Sequence, residues 1–177
     1  MDWSKAKNII IAALLIANLM IGGNLLAQRK MERQQIRQQA ADTCAFLEQA
    51  GITIDADIPQ EAERMPVIFL RLQREEEAPK EEQYKEYPIV VQGTGFGYEI
   101  AGAGQQAAQT ITAFEALLKL YAILSEEGNV QGKHIEAIDL VYLLSPDETS
   151  FAAQDTASPA WRILVSGRTY YVDAYGE

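Results

Sequence analysis

The side chains in this chain best suited to chemistry are its single histidine, His134, and its single cysteine, Cys44. A nucleophile–histidine pair needs both groups together with an orienting acid, and nothing in the sequence places His134 beside such partners. His134 follows Lys133 in a polar segment, which predicts a surface residue. Cys44 falls on an apolar helical stripe, which predicts a small core residue. One histidine and one cysteine also argue against a transition-metal site.

The glycine-rich segment 93–97, Gly-Thr-Gly-Phe-Gly, resembles part of a dinucleotide-binding loop. Tyr98 stands where the last glycine of that pattern would fall, and no helix begins there, so the segment predicts a hairpin or a bulge. The paired carboxylates of a hydrolase have no fixed spacing in a sequence, so the sequence alone does not exclude them. Most acids in this chain, however, lie in runs typical of exposed loops, such as residues 74–86. The sequence therefore predicts a protein that is not an enzyme, with no catalytic residue, no cofactor and no metal site.

An uncharged apolar run of 19 residues extends from Ile9 to Ala27. As a helix it would be roughly 28 Å long, which matches the hydrocarbon core of a bilayer. We therefore predict a tail at 1–8 and a single transmembrane helix at 9–27 that contacts the lipid bilayer. A cleaved signal peptide is the main alternative, although its apolar region is normally shorter. Basic residues flank both ends of the run, so charge leaves the orientation open.

Small and amide side chains recur at helical spacing within this run. Ala13 and Ala17 are four residues apart, as are Asn18 and Gly22, and Asn24 follows near the end. Small residues let two helices approach closely, and a buried asparagine gains from hydrogen bonding to a partner helix. These five residues are candidates for contact with a partner helix; a plain anchor is the alternative.

The charge of the chain is divided unevenly. The net charge is −10, yet residues 1–37 hold six Lys/Arg and two Asp/Glu, so the remainder holds 9 basic and 23 acidic residues, a net of −14. Such an acidic domain repels phosphate backbones, which argues against nucleic-acid binding. It could instead suit a basic protein partner.

The rest of the chain predicts an α+β domain. Residues 28–50 predict a juxtamembrane helix that ends at Gly51, with the domain proper at 51–177 and an acidic loop at 74–86. The strongest helix pattern covers Gln105–Glu126, whose wide apolar face should pack on a sheet. We predict an antiparallel sheet of strands at 67–72, 87–91, 96–101, 135–144, 160–165 and 169–174, with a tight turn at 166–167.

Four segments in order resemble the YycI family of regulatory proteins from Gram-positive bacteria. They are residues 1–7 (MDWSKAK) before the apolar run, 51–55 (GITID), 159–163 (PAWRI) and 170–174 (YYVDA) with a closing glycine. Members of that family are generally longer than this chain. The residues that match its motifs are Trp3, Pro159, Trp161, Tyr170 and Tyr171. At alternating strand positions, the last aromatic residues are expected first of all to pack in the core.

The resemblance implies a single-pass protein of the cell membrane with its N-terminus in the cytoplasm and its domain outside. It also implies a role in signal transduction. The protein would work with a related YycH protein to modulate the sensor histidine kinase of the WalK–WalR (YycG–YycF) two-component system. That system governs cell-wall metabolism. The alternatives are an envelope-binding module on a simple anchor, a protease-inhibitor-like domain, and a hydrolase, which would need a cleft with converging acids.

Overall fold

The computed structural model describes residues 18, 20, 31, 34, 36–74, 83–92, 96–144 and 155–176. The chain divides into two compact units, residues 1–41 and 42–177. In the first unit the described residues are helical, and Asn18 and Met20 are exposed. Apart from these two, the predicted transmembrane helix lies outside the described residues. No helix in the described part of the chain has both the length and the apolar composition needed to cross a bilayer.

In the second unit residues 42–49 are helical (α1), and eight strands and a second helix follow among the described residues. Leu47 of α1 is 1% exposed, in agreement with the apolar stripe, whereas Cys44 is only half-buried. The strands are β1 (Ile52–Ile54), β2 (Arg64–Arg74), β3 (Gln83–Tyr84), β4 (Tyr87–Val91), β5 (Phe96–Gln109), β6 (Lys133–Leu144), β7 (Asp155–Val165) and β8 (Arg168–Asp173), and helix α2 is Ala113–Glu126. The α+β class is therefore confirmed.

The sheet is mixed, so the prediction of an antiparallel sheet was wrong. Among the described residues its order is β3-β4-β6-β7-β2-β5, with β1 paired to β6 and β8 paired to β7. Both β1 and β4 run parallel to β6, and the other pairings are antiparallel. A local sequence pattern does not indicate whether a strand pairs in parallel or antiparallel, because burial alternates in the same way in both cases.

Helix α2 begins eight residues later than the sequence predicted. It starts at Ala113, and residues 105–109 belong to β5, where Gln109 pairs with Arg64 and Ala108 with Met65 of β2. Glutamine and alanine are good helix formers, but pairing with β2 overrides that preference. The true start carries a capping box, because the Thr112 hydroxyl accepts from the Glu115 backbone N–H and the Glu115 carboxylate accepts from the Thr112 N–H at 2.7 Å.

The other end of α2 agrees with its prediction. Gly128 adopts a positive φ of 67° and donates its N–H to the Ser125 carbonyl, while Asn129 donates to Leu124. This is the Schellman arrangement, which favours glycine because a Cβ opposes the left-handed conformation. The tight turn between β7 and β8 is also confirmed, since both Ser166 and Gly167 have positive φ values, 48° and 77°, as a two-residue hairpin turn requires.

The predicted glycine-rich hairpin at 93–97 does not join neighbouring strands. Residues 93–95 lie outside the described residues, but β4 pairs with β3 and β6 whereas β5 pairs with β2. The sheet is curled, and the Tyr98 hydroxyl on β5 donates to the Ile89 carbonyl on β4 at 3.3 Å. Strands that are far apart in the sheet order thereby approach each other, which local turn chemistry alone could not predict.

Candidate functional site

The residues predicted to contact a partner helix fall almost entirely outside the described residues. Asn18 is helical and exposed; Ala13, Ala17, Gly22 and Asn24 are not among the described residues. Trp3 of the family motif is not among them either. The partner-helix contact therefore stays a prediction.

The C-terminal family-motif residues lie mostly in the core. Trp161 is 1% exposed and Tyr170 is 8% exposed, Pro159 is also buried, and Tyr171 is half-buried. The Trp161 indole Nε1 donates to the Ile111 carbonyl at 3.1 Å. The Tyr170 hydroxyl donates to the Glu127 carboxylate at 3.2 Å, and burial, more than that bond, raises the pKa of Tyr170. These contacts join β7 and β8 to the two ends of α2.

His134 has partners that the sequence did not reveal. It is half-buried at the start of β6, with Nδ1 2.8 Å from the Thr53 hydroxyl and Nε2 3.2 Å from a carboxylate oxygen of Asp55. Parallel pairing places Thr53 directly beside His134, across 81 residues of sequence. The His134 N–H also donates to the Ser166 hydroxyl at 3.0 Å. Pairing with β1 extends β6 to Lys133, so His134 lies in a strand and not in a connection, while its side chain is 39% exposed, near the surface as predicted.

A hydroxyl, an imidazole and a carboxylate also make up the nucleophilic triads of hydrolases. The Asp55 side chain is 74% exposed, whereas a triad acid is normally buried against its histidine. Neither Thr53 nor His134 lines the groove described below. The contacts of Thr53 and Asp55 with His134 join the short strand β1 to β6, and the His134 backbone joins β6 to the β7–β8 turn, which is a structural role.

The half-buried thiol of Cys44 has a raised pKa, chiefly because burial disfavours the thiolate and further because Glu48 lies nearby. We therefore expect Cys44 to react with iodoacetamide more slowly in the folded chain than in urea, with a pH midpoint above that of the unfolded thiol. E48Q should speed the reaction, while E126Q, at the exposed end of α2, serves as the control. Mass spectrometry of the alkylated chain reads the rate, and equal rates in folded and unfolded chains would contradict the expectation.

The raised pKa also has a consequence for stability. The folded chain holds the Cys44 proton more tightly than the unfolded chain does, so folding stability falls as the pH rises above the unfolded thiol pKa of about 8.5.

A groove with a volume of about 290 Å³ opens where four separate segments meet. The segment before β2 contributes Pro59, Glu61 and Glu63. The β3–β4 turn and the start of β4 contribute Glu86, Tyr87 and Pro88, and the neighbouring strands β6 and β7 contribute Ile138, Asp139, Leu140 and Trp161. The apolar floor consists of buried Ile138, Leu140 and Trp161 and half-buried Pro88, and the rim carries exposed glutamates.

The rim carboxylates differ in their partners. Asp139 accepts two hydrogen bonds from Arg162, from Nε at 3.1 Å and from Nη2 at 2.6 Å. Within the described residues, no hydrogen bond or ion pair engages the carboxylates of Glu61, Glu63 or Glu86. The described residues also contain no group of His, Cys, Asp and Glu side chains arranged to hold a metal ion.

The walls of the groove are held in place by buried contacts. The Glu63 backbone exchanges hydrogen bonds with Thr110, which is 3% exposed: Glu63 N–H donates to the Thr110 hydroxyl at 3.0 Å, and Thr110 N–H donates to the Glu63 carbonyl at 2.8 Å. On the opposite wall the Tyr87 ring packs edge-on against Tyr142 with centroids 6.4 Å apart. Burial, followed by the neighbouring Tyr84, raises the pKa of Tyr142 to about 12, so this supporting ring stays a neutral phenol.

The groove was not predicted from the sequence. The sequence predicted Glu86 in the exposed acidic loop and Trp161 in the core, and it gave Pro59 no role. No spacing pattern links these positions, because pairing of β4 and β7 with β6 brings them together. The groove is also a cleft with converging acids, which keeps a hydrolase among the alternatives.

Comparison with known proteins adds no assignment. No protein-family model matches this chain, and no curated protein matches it either.

Proposed function

We propose that this protein is a membrane-anchored, non-enzymatic regulator of a sensor histidine kinase of the YycI kind. The observation that carries the proposal is the uncharged run from Ile9 to Ala27 placed before an acidic α+β unit, in the order that the family resemblance requires. The burial of Trp161 and Tyr170 supports it, because motif residues that build the fold need no catalytic role. The N-terminus is cytoplasmic and the α+β domain extracytoplasmic in this proposal.

The proposed mechanism is a shift of population. The helices of the kinase have two arrangements in the membrane, and the transmembrane helix of this protein binds one of them more tightly. Ala13, Ala17 and Gly22 permit close helix contact, while Asn18 and Asn24 offer hydrogen bonds to the partner helix. A YycH-like protein is a second partner in the same membrane.

Bulky substitutions in the span test this mechanism. We expect A17I and G22I to change kinase output by at least about fivefold, a coupling of the usual size between allosteric sites. The measurement is a wall-stress reporter in cells, with the amount of protein in the membrane fraction followed by immunoblotting. A12I adds the same bulk as A17I outside the five candidate positions and should leave the output unchanged.

Two outcomes would contradict the mechanism. If A17I and G22I leave the reporter unchanged at normal protein levels, the helix does not transmit the regulation. If an unrelated transmembrane helix replaces residues 9–27 with full function, the span is a simple anchor and the domain alone acts.

A further inference from the structure

We infer that the groove between the segment 59–63, the start of β4 and strands β6 and β7 binds an extended, arginine-bearing segment of a protein partner. In this arrangement guanidinium groups lie on the rim formed by Glu61, Glu63 and Glu86, and apolar portions of the segment lie on the floor above Trp161. The inference deepens the proposed function by giving the chemistry of an extracytoplasmic contact, and it rests on that proposal only for the partner being a protein.

Charge complementarity is the first argument for this ligand. Three exposed glutamates line one groove with no cationic partner among the described residues, so their carboxylates can accept hydrogen bonds from a cationic ligand. The fourth acid of the groove, Asp139, is already paired with Arg162. The three glutamates are therefore the carboxylates that remain to bind a cation. The net charge of −14 outside residues 1–37 further raises the rate at which a basic segment arrives.

The shape of the groove is the second argument. A volume of about 290 Å³ accepts one or two side chains and not a folded domain, so the ligand enters as an extended segment. The glutamates belong to two separate walls, the segment before β2 and the β3–β4 turn, and successive cations along one chain can reach both. A single small cation would meet only part of the rim.

The apolar floor distinguishes this groove from an acidic surface. Pro88, Ile138, Leu140 and Trp161 line it, and apolar contacts supply affinity that solvent-exposed ion pairs alone do not, because each such pair is worth only about 0–1 kcal/mol. Arginine suits the site better than lysine, since its planar guanidinium forms two parallel bonds to a carboxylate and stacks on an aromatic ring such as that of Tyr87.

Binding of a defined peptide to the full chain in detergent micelles tests the inference. The probe is an end-capped hexapeptide in which three arginines alternate with three leucines, and isothermal titration calorimetry measures its affinity. We expect saturable binding of one peptide per chain. Combining E61Q, E63Q and E86Q should weaken it by at least about tenfold, equivalent to about 1.4 kcal/mol.

Matched controls separate the groove from general attraction between opposite charges. D42N, E48Q and E126Q combined remove the same charge at exposed positions outside the groove and should change the affinity less than about twofold. The same peptide with citrulline in place of arginine, which keeps the shape but not the charge, should bind at least about tenfold more weakly. Circular dichroism of both triple variants measures whether they are folded, and we expect spectra like that of the unchanged chain.

Several results would overturn the inference. Equal losses of affinity in the two triple variants would show that the binding depends only on the net charge of the chain. Equal affinity for the citrulline peptide would show that it depends only on apolar contact. Displacement by spermidine at the peptide's own concentration would make the groove a site for small cations. Cleavage of an added glycan by the chain, abolished by the groove variant, would make it a hydrolase. None of these results alters the reporter response to A17I or G22I, so failure here is distinct from failure of the proposed function.

Discussion

Replacing Trp161 by alanine is expected to lower the free energy of unfolding of the α+β unit by about 3–5 kcal/mol. Its indole is 1% exposed, it pairs with Leu140 on β6 and Val172 on β8, and its Nε1 holds the Ile111 carbonyl just before α2. Truncation leaves a cavity between three strands and removes a buried hydrogen bond. Because small domains are stable by only about 5–15 kcal/mol, this is a large fraction of the total.

Urea denaturation followed by far-ultraviolet circular dichroism measures the effect. W161F serves as the control, since it keeps most of the packing and loses the indole N–H; it should cost about 1–3 kcal/mol through the carbonyl left unpaired. An alanine variant as stable as W161F would show that the packing of the ring contributes little, contrary to its burial.

The second large effect is expected on helix α2, where adjacent leucines have opposite environments. Leu117 is fully buried and Leu118 is 39% exposed. L117A should lower the free energy of unfolding by about 2–5 kcal/mol, because it removes buried methyl groups and leaves a cavity between the helix and the sheet. L118A should change it by less than about 0.5 kcal/mol.

The pair is closely matched, because the two substitutions are chemically identical and adjacent, and alanine favours the helix at either position. Thermal unfolding or urea denaturation of both variants decides the outcome. Similar losses in L117A and L118A would place the second leucine inside the core and contradict the orientation of α2.

Elements with a long, strong local pattern were predicted from the sequence. The strands β4 and β6 lie within a few residues of their predicted bounds, because runs of branched and aromatic residues bounded by turn residues leave few alternatives. The turn at Ser166 and Gly167 and the end of α2 at Glu126 were also predicted, and in the structure Gly167 and Gly128 have the positive φ values that favour glycine.

The start of α2 was predicted wrongly because two tendencies compete over residues 105–112. Glutamine and alanine favour helix locally, but the segment completes a long strand beside β2, and hydrogen bonds to another strand outweigh a propensity of a few tenths of a kcal/mol per residue. The capping box of Thr112 and Glu115 was visible in the sequence as Thr-x-x-Glu. It marks the true boundary between strand and helix.

The sequence by itself determined the apolar run at 9–27, the acidic charge of the rest and the α+β class. Composition and periodicity suffice for these, because they indicate which residues are buried away from water. Only the tertiary structure decided that β1 and β4 run parallel to β6, that Thr53 and Asp55 meet His134, and that Glu61, Glu63 and Glu86 surround one groove. These arrangements depend on which strands pair across distant parts of the chain, and local patterns specify the buried face of a strand but not its neighbour.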